Sequence, residues 1–421
     1  MNTIISKYNS YLKNLFLYFG ASLIPMLLSL ASNPLIAMNM SPEDYAITGY
    51  YTSFSTLLSP LVVFYMIHYY TKRYFEVSGE DREKLRALLL KSLIYFSGII
   101  SFFCLVGLWG YIKLFNCNSS IPFFPYALLT VLSLPLTGVY NLMLIDYRMG
   151  RESSKYFKIA TYAGITSIAL TLLFVVVLKC GAFGKLLGSL LANLIFFTYS
   201  CYHYRSLFKL NFEKKEFKVM IRFCAPLTVA AMLGFFSNGY DRVFLERLGN
   251  NTELGFYVVG VQMAAYINVF QTAIGNTFQP DLFQAIVERN KRKLWKVIGL
   301  LVGSTACIVA VYIFAAPLVV KILTAGRYMA SVKYTQIIAL STLTSAMYYS
   351  ISQITIALGK SRITLINKIL TTVCSIALFS YLINHYQFIG AAWGMVLSFL
   401  LSLLGNFVLL QLGRKYSFFN H

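Results

Sequence analysis

Asp241 and Arg242 stand side by side at the end of an almost wholly apolar run, Phe223 to Tyr240, in the stretch NGYDRVFLERLG. A guanidinium can grip an anion through two parallel hydrogen bonds, and an adjacent carboxylate can hold it in place. Either charge is costly in hydrocarbon, so the pair calls for water, a counter-ion or a ligand. Thr228, Gly234 and Asn238 fall near the same helical face. The next apolar run carries Asn268, Gln271, Gly275 and Gln279, and the first carries Ser22, Pro25, Ser29 and Asn33. Arg242, Asp241, Asn238, Asn33, Asn268 and Gln271 are therefore predicted to bind a polar, anionic ligand in a shared aqueous cavity. Two blander readings stand beside this one. Small polar residues let helices pack closely, and a snorkelling Arg242, compensated by Asp241 or Glu246, would anchor a helix end.

Catalysis finds little support. His68, His203, His385 and His421 are scattered, and there is no Walker-type glycine loop, HExxH or GxSxG. The seven cysteines form no metal-spaced pair, although Cys117 and Cys180 could both face an oxidising side. No cofactor, metal or catalytic residue is expected.

The elements that would position these side chains follow from composition. Of 421 residues 58% are hydrophobic and 12% charged, with mean hydropathy +0.65, far too apolar for a soluble domain. The chain reads as an all-α, polytopic membrane protein. Twelve spans are predicted, over 14–37, 45–69, 88–113, 121–146, 158–179, 184–203, 220–245, 254–279, 294–320, 331–357, 363–383 and 389–411. One set of loops carries 28 of the 36 Lys and Arg residues, which assigns those loops and both termini to the cytoplasm. The net charge of +21 is thereby explained by topology, and nucleic acid is not an expected partner. Among the remaining bases, Lys321, Arg327 and Lys333 lie in one outer hairpin and suit long-range attraction of an anion.

Similar segments recur near an offset of 209 residues. SPEDYAITGYY (Ser41–Tyr51) parallels NTELGFYVVGV (Asn251–Val261), and CGAFGKLLGSLL (Cys180–Leu191) parallels IGAAWGMVLSFL (Ile389–Leu400). Such repetition predicts two parallel six-helix lobes, 1–203 and 220–421, joined by a basic amphipathic segment, 204–219. Its apolar face would comprise Leu207, Leu210, Phe217 and Met220.

Over nearly its whole length the chain resembles the repeat-unit flippases (Wzx type, O-antigen or related) of the multidrug, oligosaccharidyl-lipid and polysaccharide exporter superfamily. The likeness rests on APLTVAAMLGFFSNGYDRVFLERLGNNTELGFYVVG, AGRYMASVKYTQIIAL, LGKSR and IGAAWG. It implies alternating access by two lobes in the inner membrane. The cargo would be an undecaprenyl-diphosphate-linked oligosaccharide for O-antigen, lipopolysaccharide or another surface polysaccharide. Asp241 and Arg242 match the family's Asp-Arg position. Besides that cargo and membrane lipids, H+ or Na+ and a polymerase with its chain-length regulator are the partners left open. A cation-coupled drug exporter of the same superfamily is the alternative, but it needs mid-span acids and none is seen. A membrane polymerase, which needs a large outer loop, ranks third.

Overall fold

The computed structural model describes residues 2–115, 120–357 and 361–412. Lys7 and Lys13 have no described side chain, nor does Arg362; Cys117, Lys360, Arg414, Lys415 and His421 lie outside the described residues. Among the described residues every regular element is helical. They group into two compact units, Met1–Met232 and Leu233–His421.

The first unit holds α1 (Asn2–Asn39), α2 (Pro42–Val63), α3 (Met66–Arg73), α4 (Gly79–Phe115), α5 (Tyr126–Met149), α6 (Ser153–Leu172), α7 (Gly181–His203) and α8 (Lys214–Met232). Helix α1 packs along α6, and α5 packs against α2, α4 and α7. The α1–α6 contact is close because Gly164 lies under Pro25; a Cβ there would stand 2.6 Å from the Pro25 Cβ. The second unit holds α9 (Phe235–Asn238), α10 (Tyr240–Glu246), α11 (Asn251–Ala265), α12 (Asn268–Val287), α13 (Lys291–Leu323), α14 (Val332–Ala357) and α15 (Ser361–Leu412). Within it α14 packs against α11, α12, α13 and α15. The long α15 is two helices joined at Gln387, whose backbone is far from helical (φ 49°, ψ −128°).

The surface is that of a membrane protein. Val311, Phe314, Leu318 and Ile322 form one bare stripe of α13, with Phe314 86% exposed, and α4 shows Tyr95, Ile99, Phe102, Phe103 and Val106 likewise. A water-soluble monomer rarely leaves such contiguous apolar area uncovered. Among the described residues eight helices are long and apolar enough to cross a membrane, or nine if the bent pair α2–α3 is one span. The sequence predicts twelve crossings. Part of the difference has a plain origin: α15 joins the predicted spans 363–383 and 389–411, and α14 is diluted by its many Ser and Thr residues.

Two helices that begin the segments matched at an offset of 209 are capped alike. Ser41 caps α2 in a reciprocal capping box with Asp44, and 209 positions later the Asn250 side chain caps α11 by accepting from Glu253 N–H at 3.0 Å. The second oxygen of Asp44 accepts from Ala182 N–H at 2.8 Å, so one carboxylate holds the starts of α2 and α7 together.

At the basic-loop end, Asp146 on α5 accepts from Tyr70 Oη (2.5 Å), Arg86 (2.8 Å) and Tyr204 Oη (2.9 Å), joining α3, α4, α5 and the segment after α7. Burial first, then the Asp146 charge, pushes the Tyr204 phenol up and keeps it a donor. The segment predicted as an amphipathic linker packs here too. Leu207 and Met220 enter the buried core, Leu210 and Phe217 cover it, and Tyr69 Oη donates to Glu216 at 2.5 Å.

Candidate functional site

Glycine breaks the predicted span 220–245. After α8 the backbone turns at Leu233 and Gly234, forms the single turn α9, breaks again at Gly239 (φ −156°, ψ −22°) and resumes as α10. The facing element is interrupted as well, between α11 and α12 at Tyr266 and Ile267. Irregular backbone at membrane depth is tolerated where it lines a cavity, because freed N–H and C=O groups must find partners.

A cavity is found there. It has a volume of about 340 Å³, and Asn238, Arg242, Asn268, Gln271, Ser341, Thr342, Ser345, Met395 and Phe399 contribute to its wall. Four of the six predicted binding residues thus meet at one place in the second unit. Gln271 donates to Ser345 Oγ at 2.8 Å, Thr342 donates to Asn268 Oδ1 at 3.4 Å, and Asn238 reaches back to the Gly234 carbonyl at 3.4 Å. These contacts fix the amides and leave polar atoms for a guest.

Asp241 is placed differently. It does not line the cavity; it is 1% exposed, accepts from Tyr257 Oη at 2.6 Å and lies 3.9 Å from Arg242 Nε, while its Oδ1 has no hydrogen-bond partner among the described residues. The Arg242 side chain is 11% exposed. Among the described lining residues none is acidic. Asn33 belongs to the first unit, where it is buried. Ser341 and Ser345 stand four residues apart on α14, a spacing that sets them on one helical face, whereas Met395 and Phe399 carried no signal in the sequence.

Of the three outer bases, Lys321 and Arg327 are exposed, but Lys333 pairs with Glu253 at 2.9 Å, and Tyr334 Oη donates to the same carboxylate. Half-exposed pairs of this kind contribute about 0–1 kcal/mol to stability. Lys333→Gln is accordingly expected to leave transport within about twofold of wild type, with a clear loss of rate only when Lys321 and Arg327 are removed too. Transport measured per molecule of inserted protein checks this, and abolition by Lys333→Gln alone would reveal a specific contact.

Residues 11–285 match the profile of the family described as polysaccharide biosynthesis protein. The chain belongs to this family. A Haemophilus influenzae protein of the Lsg locus is 23% identical over 278 residues, and the match spans 64% of this chain and 64% of that protein's length. Two solved structures share the fold. A multidrug resistance MATE family transporter of the MOP superfamily, inward-facing, superposes with TM-score 0.65 at 16% identity, covering 95% of this chain and 99% of its own. The lipid II flippase MurJ, inward closed, superposes with TM-score 0.67 at 16% identity, covering 94% of this chain and 87% of its own. The family member described here therefore has the multi-pass fold of MOP-superfamily transporters.

Proposed function

We propose that this membrane transporter is a flippase. It carries a polyprenyl-diphosphate-linked oligosaccharide from the inner to the outer leaflet of the inner membrane by alternating access, for surface polysaccharide assembly. One observation carries the reading: the second-unit cavity presents Arg242 with amides and hydroxyls and, among the described lining residues, no carboxylate. A diphosphate needs a fixed cation, and a glycan needs amide and hydroxyl partners. Asn268 and Gln271 stand in the first turn of α12, where the positive end of the helix dipole adds to the attraction for an anion. The family's role in polysaccharide biosynthesis agrees with this cargo.

Proteoliposomes test it directly. With a lipid-linked oligosaccharide placed in one leaflet, the reconstituted protein should expose the glycan to an added lectin on the other side. If the same vesicles instead move ethidium against an H+ or Na+ gradient and leave the glycan in its leaflet, the drug-exporter reading replaces this one.

The orientation follows from the distribution of basic loops, with both termini and the region around Lys214 in the cytoplasm. A cysteine introduced at Asn251 should react with an impermeant maleimide in intact cells, and one at Lys214 should react only after the cells are opened. The reverse pattern would invert the topology.

A further inference from the structure

The first unit contains a cavity of about 480 Å³ that the Arg242 site does not explain. Ser59, Tyr65, His68, Thr137, Asn141 and Arg148 contribute to its wall. It lies where α2 gives way to α3 with a 48° bend, at two successive residues in the left-handed region, Phe64 (φ 51°) and Tyr65 (φ 50°). Neither is glycine, so each conformation costs about 1 kcal/mol or more and is held by its surroundings. The bend brings His68 beneath Tyr65, with ring centroids 4.6 Å apart and planes 14° from parallel.

Among the described lining residues Arg148 is the one Lys, Arg, Asp or Glu, while neighbouring bases off the wall are paired. Arg73 is paired with Glu76 and Glu216, Arg86 with Asp146, and Lys155 with Glu152. Arg148 has no ion-pair partner among the described residues. Asp146, the acid two positions before it, is already engaged by three donors. The Asn141 amide also has no hydrogen-bond partner among the described residues.

The hydroxyls specify the rest of a guest. Thr71, which also lines the cavity, donates to the Ile67 carbonyl at 3.0 Å and Thr137 to the Ser133 carbonyl at 2.8 Å. Their hydrogens are spent on their own helices, so their oxygens can only accept. A complementary ligand must offer an anion to Arg148 and hydroxyl donors to Thr71 and Thr137. The volume is that of a small-molecule site and exceeds what a bare phosphate fills.

We propose that this cavity is a second binding site, for a glycosyl phosphate. Arg148 and His68 take the phosphate, and Asn141, Thr71 and Thr137 take the hydroxyls of the attached sugar. This assignment is independent of the role of Arg242. The same chemistry is offered by a free sugar phosphate and by the head of a glycosylated polyprenyl phosphate.

Calorimetric titration of the purified full-length protein tests the site, with α-glucose 1-phosphate, glucose and a short-chain polyprenyl-phosphate-linked glucose as probes. The sugar phosphate should bind where glucose does not. Arg148→Gln should weaken it about tenfold or more, as expected for loss of a charge-assisted hydrogen bond, and Arg148→Lys by less. Arg148 is exposed, so folding should survive either change. Asn141→Ala should weaken the sugar phosphate but not inorganic phosphate. Binding should persist in Arg242→Gln. Arg148-dependent binding of the lipid-linked probe alone supports the site and identifies a membrane ligand; binding of both supports it and admits the free compound. The proposal is overturned if neither probe binds in an Arg148-dependent way, or if binding survives Arg148→Gln and vanishes in Arg242→Gln.

Discussion

Arg242→Ala is expected to abolish export of the lipid-linked glycan while the protein still accumulates in the membrane. The guanidinium lines the second-unit cavity, and the wall described here holds no acid to compete with an anionic guest. Losing a desolvated, charge-assisted contact costs about 2–5 kcal/mol, roughly thirtyfold to several thousandfold in occupancy. Arg242→Lys should recover part of the activity, since the charge survives without the planar fork. Asp241→Asn should be milder, because Asp241 lies behind the wall and its contact with Tyr257 can persist through the amide oxygen. Removing Arg242 also leaves Asp241 less compensated, which is expected to lower insertion. The double variant Asp241→Asn, Arg242→Ala separates the effects, and should restore protein level without restoring export. Glycan export normalised to inserted protein is the decisive measurement, and near-normal export by Arg242→Ala would refute the role.

Asp146→Ala is expected to cost most of the folded protein. It strands the Arg86 guanidinium, whose side chain is 19% exposed, and removes the acceptor of Tyr70 and Tyr204. Leaving one partner of a buried pair uncompensated costs about 3–5 kcal/mol. Replacing both members with apolar residues is far less harmful, so Asp146→Leu with Arg86→Met should regain much of what Asp146→Ala loses. Thermal unfolding of detergent-purified protein, with the yield of monodisperse material, reads both effects. An Asp146→Ala protein that melts with wild type would show that the network contributes nothing.

Much of this was legible in the chain, and what was not has physical reasons. Composition announced the membrane, and the polar stripes with Asn238, Asn268 and Gln271 announced a cavity wall because helical spacing gathers residues on one face. Asp241 and Arg242 were both assigned to the cavity, and only Arg242 lines it, because adjacent helical residues point about 100° apart and cannot both face one cavity squarely. Gly234 and Gly239 were available as signals for the breaks around α9. Phe64 and Tyr65 gave no such warning, since neither favours the left-handed conformation that tertiary packing imposes on them. The pairing of Lys333 with Glu253 joins positions 80 apart in sequence, and only the packing of α11 on α14 brings them together.

The paired caps at Ser41 and Asn250 carry a consequence for how the two copies of the repeat can drift. One turn into each helix stands an acid, Asp44 or Glu253, yet the partners differ in kind. Asp44 is held by the backbone N–H groups of Ser41 and Ala182, donors that every residue except proline supplies. Glu253 relies on the side chains of Lys333 and Tyr334, each of which a single substitution can delete. The two backbone bonds to Asp44 thus depend on one side chain, that of Asp44 itself, whereas the contacts at Glu253 can be lost from three positions. At this carboxylate the first segment concentrates its mutational sensitivity in one residue, and the second spreads it.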